Sequence, residues 1–347
     1  MSEYNIKEGV LVGVLSYNHE HYLAQCLDSI LCQKCQFPFT VYVFDDVSTD
    51  NSWNIIQKYK QRYNTQMIIE QPEHNNYSAG NKNAFLQHVK KVNGAKYVAF
   101  CEADDYWTDE YKLQKQYNAM KESRKVAMCI HDVELFDESN SHCVGIVPGY
   151  VNAKWSKREL VTRILMYSIS FRINGVFIRS EIFNDIDMYT DYWNYWATDL
   201  ALFVYMLLRG DMIYLNDNMA TKRVNNIGSL SYHANLDIIC QQQIKVFEDD
   251  IRWIRLFGKM SGEEYNDLIE YYTLFRKIRL HYLYKGDVKK NKYVSNGNGK
   301  MYLSEVKRKI NQKYVIIVKK FYKEECRFVK CSRRWMEKEW KRLQAME

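Results

Sequence analysis

The sequence predicts an α/β protein: a mostly parallel sheet flanked by helices, followed by a helical C-terminal extension. Three observations carry this. Apolar runs of strand length alternate with helix-period segments through the first hundred residues. Polar or acidic clusters follow three of those runs directly. From about residue 231 onward only helical patterning remains.

Each element can be read in order. GVLVGVLS (9–16) is a continuous apolar run, as a buried parallel strand requires. Tyr22, Leu23, Cys26, Leu27, Ile30 and Leu31 then recur at helical spacing. TVYVF (40–44) is a second strand that ends at Asp45 and Asp46. Ser48 and Asp50 offer N-caps for a helix through Trp53, Ile56 and Tyr59. QMIIE (66–70) is a third strand, and a helix spans Ala84 to Val92. KYVAFCE (96–102) is a fourth strand and runs directly into Ala103, Asp104 and Asp105. Residues 125–230 mix short strands and helices. Beyond them Tyr271, Leu274, Phe275, Ile278 and Tyr282 share one helical face, KKNKYVSNGNGK (289–300) reads as a loop, and a basic tail runs to Leu343. The expected division is therefore a catalytic-type α/β region over 1–230, with halves at 1–125 and 126–230, and a helical region over 231–347.

Bulk properties narrow the class. The 347 residues are 47% hydrophobic and 26% charged, which suits a soluble globular chain. The formal charge is +7, yet residues 301–347 alone carry 14 Lys or Arg against 6 Asp or Glu, so the basicity belongs to the tail. Two readings of the tail stand: a segment lying on an anionic membrane surface with its aromatics in the headgroup region, or a solvated or partner-packed helix pair. Nucleic acid is set aside as a partner, because no recognised nucleic-acid module accompanies the charge. Nine cysteines are scattered, and only Cys32 and Cys35 form a C-x-x-C pair, so reduced thiols are expected rather than a zinc site. Residues 1–7 are polar and no apolar stretch approaches a membrane span. The expected location is cytoplasmic, peripheral at the inner face of the cytoplasmic membrane if the tail binds lipid.

The chemistry concentrates at the strand ends. In parallel sheets ligands bind beyond the carboxyl ends of the strands. Ser16-Tyr17-Asn18, Asp45-Asp46 and Glu102 to Asp105 all fall there. No Gly-rich phosphate loop of either common type follows the first strand. A bound nucleotide would then need another source of positive charge, and a divalent cation held by carboxylates supplies it. Mg²⁺ and Mn²⁺ prefer oxygen ligands, often one or two carboxylates plus substrate phosphates. Glu102, Asp104 and Asp105 meet that requirement. The plainer reading is a solvated acidic turn capping a helix that starts near Tyr111.

VLSYNHEHYLAQCLDSIL, VFDDVSTDNS and CEADDYW resemble, in order and spacing, the three N-terminal motifs of glycosyltransferase family 2. That resemblance implies the GT-A fold, Rossmann-like in its nucleotide half, and an inverting transfer that uses Mn²⁺ or Mg²⁺. It covers roughly residues 9–125 and continues more weakly to about 232. It places Tyr17 near the nucleotide base, Asp46 on the uracil, Lys82 near the base and Asp104 on the ribose and metal region. It makes Asp105 the metal ligand that bridges to the diphosphate; Glu102 stands where the family commonly has Asp.

The second half supplies the acceptor side. YWATDLALFVYMLLRGDMIYL (195–215) resembles the family segment that carries the catalytic base near a helix start, which makes Asp199 the candidate. A carboxylate can deprotonate the attacking hydroxyl if it lies within reach and is partly desolvated. ATKRVNNIGSLS (220–231) resembles a later segment in which Arg223 contacts the diphosphate and the loop closes over the donor. Trp193 and Trp196 are candidates to stack on an acceptor sugar, with a core role as the alternative. Asp249 to Trp253 faintly resembles the Q-x-x-R-W motif of processive synthases, with Asp in place of Gln, and is read as coincidence. The expected function is transfer of a sugar from a nucleoside diphosphate sugar, a UDP-sugar first, to a glycan or lipid-linked acceptor in bacterial surface polysaccharide synthesis. The competing readings are a non-catalytic carbohydrate-binding or scaffolding protein, which retention of Asp46, Asp104, Asp105 and Asp199 argues against, and a sugar-nucleotide pyrophosphorylase, which lacks its Gly-rich loop here.

Overall fold

The computed structural model describes residues 9–165, 169–195, 197–224, 236–270, 272, 273, 276 and 277. Trp196, the loop 225–231, the helical face built on Tyr271, Leu274, Phe275, Ile278 and Tyr282, and the basic tail lie outside the described residues. Residues 1–232 and 233–347 form two compact units.

The first unit is built on a nine-stranded sheet. Strands β1 (Val10–Ser16), β2 (Phe39–Asp45), β3 (Met67–Glu70) and β4 (Tyr97–Glu102) are joined by helices α1 (Leu23–Leu31), α2 (Ser52–Arg62) and α3 (Ala84–Val92). They lie in the order β3-β2-β1-β4, all parallel. This is the strand–helix alternation read from the sequence. Val10, Val12 and Val14 of β1 are fully buried, as are Val41 and Val43 of β2, so the apolar runs are interior strands covered on both sides. Helix α1 turns Leu23, Cys26, Leu27 and Ile30 onto the sheet, the three- and four-residue spacing of its apolar positions.

Beyond β4 the sheet becomes mixed. The next elements are β5 (Tyr106–Trp107), α4 (Lys112–Lys121), β6 (Val126–Asp137), β7 (His142–Val147) and α5 (Lys157–Leu165). They are followed by β8 (Val176–Arg179), α6 (Ser180–Asn184), α7 (Thr198–Arg209) and β9 (Asp211–Val224). Strand β8 lies antiparallel between β4 and β6, while β9 runs parallel to β6. Strands β6 and β9 span 12 and 14 residues, longer than the short strands the sequence suggests. Bulges around Asp132 break their periodicity, which hides the length from a simple two-residue alternation. Gly210 makes the turn from α7 into β9: a Cβ there would sit 2.7 Å from the Lys125 carbonyl oxygen, so only glycine lets the chain pass.

Two helix starts differ from expectation. Ser48 does not cap α2; its hydroxyl donates to Asp45 Oδ1 at 2.5 Å and accepts the Asn18 amide. Asp50 does take the Ser52 amide, but its other oxygen holds the Glu20 amide. Both residues lace the loop after β1 to the loop after β2. At α4 the capping acid is Asp109, whose Oδ1 accepts the Tyr111 amide at 2.7 Å. The Glu102–Asp105 turn is therefore not a helix cap.

The second unit contains α8 (Leu236–Ser261) and a short 3₁₀ turn, Gly262–Tyr265. Asp250 Oδ2 pairs with Arg276 Nε at 2.7 Å, both buried, and Arg252 pairs with Asp249. Trp253 is fully buried and stacks with Phe257. The Asp249–Trp253 stretch thus has a structural partner at each of these side chains, in keeping with its reading as coincidence. Among the described residues no helix is long and apolar enough to cross a membrane.

Candidate active site

Strand register brings the three clusters to one sheet edge. Ser16 pairs with Asp45 across β1 and β2, and Leu15 pairs with Glu102 across β1 and β4. The Asp46 amide donates to the Ser16 carbonyl, and the Ala103 amide to the Leu15 carbonyl. Tyr17, Asp46 and Glu102–Asp105 consequently emerge side by side, although they are separated by tens of residues in sequence.

The backbone is strained at this edge. Val47 has φ +63° and Asn18 φ +57°. A left-handed conformation is uncommon for any residue but glycine, and a β-branched one in it is an outlier. The loop lacing through Ser48, Asp50 and Ser52 holds both turns in place.

Asp46 is nearly buried, and both of its oxygens hold the loop after β3. Oδ1 accepts the Asn76 amide at 2.8 Å and Oδ2 the Tyr77 amide at 3.0 Å. A carboxylate has lone pairs beyond these, so the arrangement orients Asp46 as well as the loop. Tyr17 is exposed beside it, and Lys82 is half-buried in the turn before α3.

The acidic cluster is compact. Glu102, Asp104 and Asp105 each offer an oxygen, and these oxygens lie within 4.8 Å of one another. Asp104 and Asp105 are buried rather than solvated. Strand β5 continues directly from the cluster and pairs with β9, Tyr106 opposite Thr221, which carries Lys222 and Arg223 to the acids. Asp105 accepts the Arg223 amide on Oδ1 at 2.9 Å and the Asn174 side-chain amide on Oδ2 at 3.2 Å. His19 Nε2 lies 3.9 Å from Asp104 Oδ2.

Lys222 is the residue the sequence reading missed. Its ammonium lies 2.5 Å from Glu102 Oε2 and 3.5 Å from Asp105 Oδ2. Burial works against its charge, but Asp105, Glu102 and Asp104 outweigh that and hold it protonated. Only its place beside Arg223 in the TKR run hinted at it, and the motif comparison drew attention to the arginine instead.

Arg223 is placed differently from expectation. Its side chain is nearly buried, with Nε donating to Glu138 at 3.1 Å. Its two terminal nitrogens donate to the Asp104 carbonyl and to Gln25. The guanidinium lies between the rings of Tyr22 and Tyr106, 4.8 and 4.6 Å from their centroids. A guanidinium so committed is a strut that joins α1, β5 and β9, not a free arm for a diphosphate.

On the acceptor side, Asp199 occupies the first turn of α7, as expected. Its Oδ1 accepts the Leu200 amide at 2.8 Å. Burial pushes its carboxyl above the ordinary range; Glu102 adds to this, while Arg172 and Lys222 oppose it. Trp193 is 1% exposed and packs edge-on against Tyr192 at 5.0 Å, with Tyr205 at 5.4 Å. The ring is core, so the stacking role expected for it does not fit this structure; the apolar spacing that makes an aromatic sticky also makes it bury. The companion expectation for Trp196 lies outside the described residues.

The family model described as "Glycosyl transferase family 2" matches residues 11–186. An uncharacterized protein of Mycobacterium tuberculosis is 29% identical over 209 residues, 60% of this chain and 57% of that protein. The poly(ribitol-phosphate) beta-glucosyltransferase of Bacillus spizizenii is 31% identical over 109 residues, 31% of this chain and 16% of that enzyme. The matches thus span about half the length of these curated relatives, or less. The crystal structure of S. aureus TarS 1-349 superposes with a TM-score of 0.51 at 18% identity, covering 82% of this chain and 91% of that one. At that identity the likeness concerns the fold, which is GT-A as the motifs imply.

Proposed function

The chain belongs to glycosyl transferase family 2, and on that premise we propose that it transfers a sugar from a nucleoside diphosphate donor to a hydroxyl acceptor, with inversion. The observation that carries this is the convergence of Tyr17, Asp46 and the Glu102–Asp105 cluster at one sheet edge, with Asp199 in the first turn of α7 as the candidate base. A transferase needs a base on the acceptor side and charge stabilisation on the leaving-group side, close enough to act on one bond.

In this reading Tyr17 packs on the base, Asp46 hydrogen-bonds uracil, Lys82 lies near the base and Asp104 faces the ribose. The three carboxylates suit a hard divalent cation, Mn²⁺ or Mg²⁺: all donors are oxygen and they converge within 4.8 Å. Asp105 and Asp104 would hold it, with Glu102 alongside. Such a cation would supply positive charge against the diphosphate as it departs. Asp199 takes the proton of the attacking hydroxyl, and its raised pKa favours that role near neutral pH.

The acceptor is a glycan or a lipid-linked sugar, in bacterial surface polysaccharide synthesis. The Bacillus relative supports this setting, since its name pairs a glucosyltransferase with poly(ribitol-phosphate), an anionic polymer. The basic tail would bring the enzyme to an anionic membrane surface at the inner face of the cytoplasmic membrane. The test is a screen of UDP-sugars with wall-polymer and lipid-linked acceptors, read by release of UDP. Release that needs both acceptor and Mn²⁺ supports the reading; no release with any donor sinks it.

A further inference from the structure

Four acidic side chains and three basic ones converge where β4, β5 and β9 meet. The acids are Glu102, Asp104, Asp105 and Glu138; the bases are Lys222, Arg223 and His19. Arg223 is fixed by Glu138, Gln25 and the Asp104 carbonyl and lies between two tyrosine rings. It cannot shift without opening that packing. His19 approaches only the Asp104 side, at 3.9 Å.

Lys222 is different. Its Nζ is the one cationic atom seen between Glu102 and Asp105 among the described residues, 2.5 Å from one carboxylate and 3.5 Å from the other. The ammonium thus stands among the carboxylates that offer oxygens to a divalent cation. The side chain is a compact charge on a flexible four-carbon stem, and 24% of it is exposed, so a path outward exists.

We propose that Lys222 is a built-in counter-cation: its ammonium stands among the carboxylates of Glu102, Asp104 and Asp105 that would hold the divalent cation, and a metal binds there by displacing it. This rests on the metal-dependent reading above and adds a residue to it. Two positive centres cannot share those oxygens at close range, because their mutual repulsion in a poorly solvated site is large. Without any cation the clustered carboxylates repel one another, and the buried Asp105 suffers most. Lys222 removes that difficulty in the metal-free protein. It also weakens intrinsic metal affinity, so that tight binding requires the diphosphate oxygens of the donor as additional ligands. The metal and the sugar nucleotide are thereby coupled, and neither dwells in the site alone.

The test measures Mn²⁺ binding to the full chain by electron paramagnetic resonance, without nucleotide and with UDP. Lys222→Met is compared with wild type, with Lys222→Arg as the charge-retaining control and Lys222→Gln as a milder second variant. The expected result is that Lys222→Met and Lys222→Gln bind Mn²⁺ without nucleotide at least tenfold more tightly than wild type, whereas Lys222→Arg does not. The gain from adding UDP should shrink correspondingly in both neutral variants. Circular dichroism melts identify the folded variants, and either neutral variant suffices. If the folded variant binds Mn²⁺ no better than wild type while UDP still promotes binding, the displacement idea is overturned and the metal reading survives. If no protein binds Mn²⁺ even with UDP, both fail together.

Discussion

The backbone amide of Arg223 donates to Oδ1 of Asp105 at 2.9 Å, across 118 residues of sequence. This one bond fixes the carboxylate in the turn between β4 and β5 to the last residues of β9. It makes the acidic cluster a joint between the two halves of the sheet rather than a loop tip. Asp105 therefore has a structural task beside any catalytic one, and the two can be separated.

Asp105→Ala should lower stability by about 3 kcal/mol, since it leaves the Arg223 amide and the buried Asn174 side-chain amide without their acceptor and removes one of the two carboxylates facing Lys222. Combining it with Lys222→Ala should cost less than the sum of the singles, by about 1 kcal/mol or more. Urea unfolding of the four proteins gives the cycle. Additive losses would show that the two charges do not depend on each other.

Arg223→Lys should not preserve the strut. The single ammonium of a lysine does not reproduce the planar fork that spans Glu138, the Asp104 carbonyl and Gln25 beside the Tyr22 and Tyr106 rings. The expected loss is about 2 kcal/mol in urea unfolding. A fully stable Arg223→Lys protein would mean that the guanidinium contacts contribute little.

Asp199→Asn should leave UDP binding within twofold of wild type and lower turnover by roughly a hundredfold or more, the scale of a lost general base. The pH profile carries a sign. Burial first, then Glu102, holds the Asp199 carboxyl above the usual carboxylate range. The base works only when deprotonated, so kcat/KM should fall as pH drops through that raised value. Normal turnover by the variant would remove Asp199 from the reaction.

Lys112 gives a stability prediction away from the site. It is fully buried, lies 3.9 Å from the Trp107 ring centroid and donates to Gln116. Burial lowers its pKa to about 7. The unfolded chain then binds a proton that the native protein does not over the window from about pH 7 to the ordinary lysine value. Stability should rise with pH there, by roughly 1 kcal/mol per pH unit before other groups contribute. Lys112→Met should be more stable than wild type at pH 6, and its advantage should shrink towards pH 10. A pH-independent difference would contradict the buried-lysine account.

The N-terminal half was largely legible in the sequence. Continuous apolar runs at Val10–Ser16 and Tyr97–Glu102 are of strand length and alternate with helix-period segments, and parallel strands deliver their following residues to one edge. The second half was less legible for identifiable reasons. Bulges around Asp132 disrupt the alternation that would have marked β6 and β9 at full length. Trp193 reads equally as a binding platform or a core residue, because burial depends on Tyr192 and Tyr205 folding over it. Lys222 and Arg223 are neighbours, and no local pattern says which one reaches the acids. That is settled by the pairing of β5 with β9, a contact over more than a hundred residues.

The central claim is that Glu102, Asp104 and Asp105 form a cation site serving a nucleotide diphosphate. Calorimetric titration of UDP into the full chain, in Mn²⁺ and in EDTA, tests it most directly. The account predicts binding in Mn²⁺ that falls at least tenfold in EDTA and is lost in Asp105→Asn. Equal affinity in Mn²⁺ and EDTA, unchanged by Asp105→Asn, would contradict it.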